Sequence, residues 1–128
     1  MIELADTTFR AYKKRSGFIS LHLRSFLLVH TGVGFRLSAY LKEVRCWITL
    51  PGSKEQAFDS VSIGDAPECN LDRGIMAHSL RISGLIPPRT LRPCVADFRM
   101  RYKITFRGHE TDKSKTIKRK VLVIPGSR

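Results

Sequence analysis

Twelve residues near the C-terminus, Ala96 to Arg107, alternate between apolar and polar side chains. The apolar members are Ala96, Phe98, Met100, Tyr102, Ile104 and Phe106. Four of the six residues between them are basic, namely Arg99, Arg101, Lys103 and Arg107. Because successive side chains of a β-strand point to opposite faces, this segment predicts a strand that buries one face and exposes a row of positive charge on the other.

Further stretches of alternating or β-branched residues recur along the chain, with glycine, proline and polar residues between them. They predict strands at residues 18–30, 57–63, 75–83 and 116–124. The glycines of segment 30–34 predict a hairpin connection, and the prolines of segment 87–93 predict an extended loop. About seven short antiparallel strands with such turns are typical of an all-β sandwich or barrel.

Residues 35–50 are open to two interpretations. As a strand, Val44, Cys46 and Ile48 face inward, but the alternation slips and requires a β-bulge near Glu43. As a helix, the apolar residues form one stripe, which predicts a short helix at 36–46. Strand pairing is favoured for 44–50, and both alternatives stay open for 36–43.

The length of 128 residues fits one domain with a core of its own. Residues 1–16 are predicted to form a basic, partly mobile N-terminal arm that ends in Lys13, Lys14 and Arg15. Residues 17–128 are predicted to form a single β-rich domain.

The formal net charge of +12 and the sequence pI of about 10.3 favour an anionic partner, because self-repulsion of this size does not stabilise a fold. The three cysteines are odd in number and far apart, which is typical of a reducing compartment. The N-terminus lacks a secretory signal, and no apolar run is long enough to span a bilayer. We therefore expect an intracellular protein, cytoplasmic or nuclear, that is neither secreted nor transmembrane.

The segments 96–107 and 116–124 are predicted to pair as a hairpin, for which two registers are open. One register places Ile117, Val121 and Val123 on the core face. The other places Leu122 and Ile124 there and pushes lysines towards apolar neighbours. Burying an unpaired lysine costs more than a repulsion between exposed like charges, so the first register is preferred.

In the preferred register, Lys118 lies beside Lys103, and Lys120 lies beside Arg101. Such a concentration of charge can displace counterions from a phosphate backbone. No aromatic residue is evident on the basic face, so the pattern favours backbone contact over base stacking. We expect a non-enzymatic module that binds RNA or DNA backbone without sequence specificity. Its predicted binding residues are Arg99, Arg101, Lys103, Arg107, Lys113, Lys115, Lys118 and Lys120.

The alternative is a small structural or assembly protein of viral matrix type. In this interpretation, Lys13, Lys14 and Arg15 contact an anionic membrane surface, where each basic residue contributes roughly 1 kcal/mol. The acidic segment 64–74, predicted to be a loop, then meets the basic hairpin of a second copy and supports a homo-oligomer.

An enzymatic function is not expected, because no nucleophile–base pair can be named in the sequence. The four histidines and three cysteines never fall at zinc-site spacing. The glycines Gly32 and Gly34 lack the context of a phosphate-binding loop. We therefore predict no catalytic residue, no metal site and no cofactor.

Overall fold

A computed structural model describes residues 2–30, 39–64, 68–70, 75–106, 109–110 and 114–126. Eleven strands lie within these ranges: β1 (Ile2–Leu4), β2 (Thr8–Lys13), β3 (Ile19–His30), β4 (Ala39–Thr49), β5 (Gln56–Ala57), β6 (Ser60–Ile63), β7 (Glu68–Asn70), β8 (Ile75–Ile86), β9 (Cys94–Phe106), β10 (His109–Glu110) and β11 (Lys115–Pro125).

The described strands form one sheet, which confirms the all-β prediction. Eight of them run in the order β5-β4-β9-β11-β2-β3-β8-β6, while β1 pairs with β3, β7 with β8 and β10 with β9. The pairs are antiparallel except for β2 and β11, which run parallel over Thr8–Ala11 and Leu122–Pro125. This one parallel pair departs from the predicted antiparallel arrangement, because β2 lies between β11 and β3.

The segment Gln56 to Ile63 connects the two ends of the sheet. β5 pairs with β4, and the amide of Phe58 donates a hydrogen bond of 3.0 Å to the carbonyl of Cys46. Two residues after β5 the chain becomes β6, which pairs with β8 at the opposite end. The Asp59 carboxylate also accepts a 3.1 Å hydrogen bond from the Leu85 amide. The sheet is therefore rolled, with one face around the core and the other towards solvent.

Three phenylalanine rings pack together where the rolled sheet meets this connecting segment. The rings of Phe9 and Phe58 stack with centroids 5.2 Å apart and planes 12° from parallel. Phe98 lies 5.7 Å from Phe9. Truncating a buried phenylalanine to alanine costs about 3–5 kcal/mol, so these rings stabilise the contact between β2, β9 and the connecting segment.

The bulge predicted near Glu43 is confirmed. The pairing of β4 with β9 shifts register between Lys42 and Arg45, and Glu43 has a φ of 51°. The alternative of a helix at 36–46 is wrong for residues 39–46, which are part of β4. Residues 36–38 lie outside the described part of the chain.

The predicted N-terminal arm differs from the structure over residues 2–13. β1 pairs with β3, and β2 pairs with both β3 and β11. Phe9 and Ala11 alternate with Arg10 and Tyr12, and the first two are buried in the core. Because β2 is paired on both sides, this segment lies within the sheet rather than beside it.

The remaining predicted elements are largely present. β3, β8, β9 and β11 cover the predicted strands, and the stretch predicted at 57–63 is divided between β5 and β6. Residues 87–93 form no strand, as expected for the proline-rich loop. The acidic segment 64–74 contains β7, which corrects the loop prediction for residues 68–70, while residues 65–67 and 71–74 lie outside the described part. The glycine turn at 31–34 also lies outside it.

Candidate functional site

The hairpin of β9 and β11 has the core face that the sequence predicts. Ile117 lies opposite Met100, and Val121 lies opposite Ala96, with all but the partly exposed Ile117 fully buried. The cross-strand partners of Lys118 and Lys120 differ from the prediction, because Lys118 lies opposite Arg99 and Lys120 lies opposite Asp97. This register keeps the same faces and places a carboxylate, instead of a second cation, across from Lys120.

The predicted binding residues divide into three groups. Five of them point away from the core on β9 and β11, namely Arg99, Arg101, Lys103, Lys118 and Lys120. Lys115 is exposed but lies opposite the buried Tyr102, so it belongs to the other face of the sheet, and its binding role stays a prediction. Arg107 and Lys113 lie outside the described part of the chain.

β4 extends this basic surface on the side away from β11. Lys42 lies opposite Lys103, Arg45 opposite Arg101, and Trp47 opposite Arg99. We call the outward surface of β4, β9 and β11 the ribbon face. Its cations are Lys42, Arg45, Arg99, Arg101, Lys103, Lys118 and Lys120.

Trp47 places an indole ring among these cations. The guanidinium carbon of Arg99 lies 3.9 Å from the ring centroid, and that of Arg101 lies 5.3 Å from it. Both distances fall within the range of cation–π interactions, and the indole is the most favourable ring for them. The ring thus holds two arginine head groups close together without neutralising either.

Three carboxylates bind cations of the ribbon face. Glu55 forms a two-pronged pair with Arg99, at 2.7 Å to Nη2 and 3.1 Å to Nε. Glu43, on the bulge, lies 3.3 Å from Lys103, and Asp97 pairs with Lys120. Among the described residues, no carboxylate lies within 4 Å of Arg45, Arg101 or Lys118. The ribbon face therefore keeps a surplus of positive charge at its centre.

Arg119 is exposed but lies opposite the buried Phe98, so, like Lys115, it belongs to the face of β11 that is turned away from the ribbon face. Its guanidinium donates hydrogen bonds to the carbonyl oxygens of Lys118, at 2.8 Å, and Ile2, at 3.2 Å. Burial raises the pKa of the Tyr102 phenol, and the positive charge of Arg119 partly opposes that rise. Arg119 therefore links β11 to β1.

The basic turn Lys13, Lys14 and Arg15 lies between β2 and β3, at the opposite end of β2 from the ribbon face. The Lys14 amide donates to the Phe18 carbonyl at 2.8 Å, and Gly17 takes the positive φ of 89° that closes the turn. All three basic side chains are exposed. Phe9 is fully buried, but Phe18 is 43% exposed beside the turn.

A basic groove that the sequence analysis does not predict lies on the outward face of β2 and β3. We call it the β2–β3 groove, and it has a volume of about 630 Å³. It is lined by Asp6, Thr8, Arg10, Tyr12, Lys14, His22 and Arg24. The alternation of β2 carries this signal in the sequence, but only the pairing with β3 brings the two sets of side chains together.

Two absences hold for the described residues alone. No group of three or more histidine, cysteine, aspartate or glutamate side chains there is placed to hold a metal ion. The same residues contain no helix with the length and apolarity that crossing a membrane would need.

Trp47 is the feature of the ribbon face that sequence reasoning missed. The inward alternation of Val44, Cys46 and Ile48 already directs Trp47 to the opposite face. What the sequence does not disclose is that β4 pairs with β9, whose residues follow about fifty positions later along the chain. No family model matches this chain, and no curated protein matches it.

Proposed function

We propose that this protein is a non-enzymatic module that binds RNA or DNA through the phosphate backbone, with the ribbon face as the contact surface. The observation that carries the proposal is the cluster of Arg45, Arg101 and Lys118, which have no carboxylate within 4 Å among the described residues. The sheet holds these cations in place, so little ordering of the protein main chain is required on binding.

The charge of the ribbon face favours backbone contact. Lysine and arginine release counterions when they neutralise phosphates, and this term is independent of base sequence. Arginine adds planar contacts with two phosphate oxygens. Trp47 lies within cation–π distance of Arg99 and Arg101. An aromatic ring among cations on a basic surface is typical of proteins that bind single strands. Single-stranded RNA is therefore the preferred probe.

Two variants with equal loss of charge test the proposal. The ribbon variant carries Arg45→Gln, Arg101→Gln and Lys118→Gln. The turn variant carries Lys13→Gln, Lys14→Gln and Arg15→Gln. Fluorescence anisotropy measures the binding of each to a labelled single-stranded RNA and a duplex DNA of mixed sequence.

We expect the ribbon variant to lose about tenfold or more in affinity, since three charge-assisted contacts disappear. The turn variant should lose much less. Equal losses in the two variants would show that net charge alone matters, and would contradict the assignment to the ribbon face. Thermal melting of both variants establishes that they remain folded.

A second candidate function rests on the basic turn. Phe18 is 43% exposed beside it, and Leu85, which pairs with Ser20 at the start of β3, is 51% exposed. Basic residues next to exposed apolar side chains suit an anionic membrane surface and a structural or assembly role there. Co-sedimentation with anionic liposomes that the turn variant loses and the ribbon variant keeps would favour this second function.

A further inference from the structure

We infer that the β2–β3 groove binds a nucleoside monophosphate, with its arginines on the phosphate and its aromatic rings on the base. This goes beyond the proposed function, because it assigns a separate site for a small ligand on other strands. It also does not depend on that function, since a free nucleotide can be tested without any oligonucleotide.

The cations of the groove are arranged around one open space. Arg10 lies opposite His22, and Arg24 is two residues further along the same face of β3, so the two arginines are diagonal neighbours. Such neighbours stand about 7–8 Å apart, a span that two arginine side chains close readily around one phosphate. Lys14 lines the same space.

These positive charges are not balanced locally. The one carboxylate that lines the groove, Asp6, accepts a 2.9 Å hydrogen bond from the Thr8 amide. No carboxylate among the described residues lies within 4 Å of Arg10, Lys14 or Arg24. Arg24 also lies directly opposite Arg81 of β8, and both are exposed. Like charges at such a position repel each other, and a bound anion relieves that repulsion.

The aromatic part of the groove is fixed by its neighbours. The rings of Tyr12 and His22 meet edge to face at 5.6 Å and 66°. His22 shares a 2.6 Å hydrogen bond with Ser20, which is itself buried. Gly126 packs so closely against the Tyr12 ring that a Cβ there would overlap it, and its amide donates a 2.7 Å hydrogen bond to Ala11. The rings are therefore held in place before any ligand arrives.

A nucleotide satisfies both parts of the site together. Phosphate needs charged donors, and a base needs a ring on which to stack. The volume of about 630 Å³ also falls within the range of small-molecule sites. Inorganic phosphate alone would leave Tyr12 and His22 unused, and a nucleoside alone would leave the arginines unused.

In the test, the protein is titrated with AMP, adenosine and inorganic phosphate, and chemical-shift changes of its backbone amides report binding. We expect AMP to bind at least about tenfold more tightly than either fragment. Arg24→Gln should weaken AMP binding about tenfold. Arg92→Gln, an equal loss of charge at an exposed residue of the 87–93 loop, should leave it unchanged. The ribbon variant should bind AMP like the wild type.

Tyr12→Leu separates the two halves of the site. It should weaken AMP binding about tenfold while inorganic phosphate binds as before, and Tyr12→Phe should retain AMP binding. Absence of AMP binding, or equal binding of AMP and inorganic phosphate with no effect of Tyr12→Leu, would overturn the inference. Arg24→Gln alters only an exposed side chain, so it remains decisive even if Tyr12→Leu unfolds the protein.

Discussion

The guanidinium of Arg99 lies over the indole of Trp47, with its central carbon 3.9 Å from the ring centroid. The two residues lie opposite each other on β9 and β4, at the centre of the ribbon face. Glu55 holds the same guanidinium from the side with two hydrogen bonds. An aromatic ring, a cation and an anion are thus fixed together on a surface that is otherwise strongly basic.

This relationship makes Trp47 a reporter of the ribbon face, since it is the single tryptophan of the sequence. We expect saturating single-stranded RNA to quench or shift its fluorescence, because a polyanion bound there displaces water and the arginines around the ring. AMP should leave the emission unchanged, because the β2–β3 groove lies on other strands. Binding seen by anisotropy without any change in tryptophan emission would contradict this placement.

Glu55→Gln should strengthen RNA binding. The substitution removes a carboxylate that occupies Arg99, so one more cation becomes available to phosphate. We expect a gain of roughly threefold to tenfold at low salt, with stability changed by less than about 1 kcal/mol, as is usual for an exposed ion pair. The control is Glu3→Gln, which changes charge equally on β1 beside His30. An equal gain in the control would mean that net charge, and not Arg99, is responsible.

Gly84→Ala should destabilise the fold. A Cβ at Gly84 would lie 3.0 Å from the Phe58 ring and 3.3 Å from its Cα, where the connecting segment crosses β8. Overpacking of this kind costs about 1–3 kcal/mol, which exceeds the roughly 0.5–1 kcal/mol that alanine gains over glycine in a strand. Urea unfolding measures the difference. Increased stability would show that the segment does not pack against β8 in this way.

Cys46 should be unreactive in the folded protein. Burial raises the pKa of its thiol from 9.0 to about 12, so very little thiolate exists near pH 8. Cys94 is only partly buried and should react with iodoacetamide first. Peptide mass spectrometry measures both sites, and rapid labelling of Cys46 before unfolding would refute the buried position.

The same pKa shift has a consequence for stability. The pKa of the Cys46 thiol is higher in the folded protein than in the unfolded chain. Its contribution to the free energy of unfolding is therefore complete below pH 9 and is lost as the pH rises towards about 12. Replacing Cys46 with valine, which cannot titrate, should flatten the fall in unfolding free energy over this window. If the unfolding free energy falls equally in the valine variant, other titrating groups cause the fall.

The sequence predicts local features of this fold better than its long-range pairings. The alternation of 96–107 and the slip near Glu43 are visible because both depend on neighbouring residues. The pairing of β4 with β9, and of β2 with β11, depends on segments far apart in the chain. Without the pairing of β4 with β9, Trp47 cannot be placed on the ribbon face. The β2–β3 groove is missed for another reason, since a prediction of residues 1–16 as an arm does not include the pairing of β2 with β3.

The register of the basic hairpin shows the same limit. Core burial correctly selects the face of Ile117 and Val121, because a slip by one residue would reverse every side chain. The observed register differs from the preferred one by four residues, since Lys118 lies opposite Arg99 instead of Lys103. A shift by an even number of residues leaves the faces unchanged, so core burial does not select between these two registers. In the structure Lys120 lies opposite Asp97, and their ion pair favours the observed register.

The salt dependence of RNA binding tests the central claim most directly. The slope of log K against log salt counts the phosphates neutralised, at roughly 0.7 per contact for a single strand. We predict a steep negative slope for the wild type, and a slope shallower by about two for the ribbon variant, which lacks three contacts. A wild-type affinity that does not change with salt, or the same slope in both proteins, would contradict the assignment of backbone binding to the ribbon face.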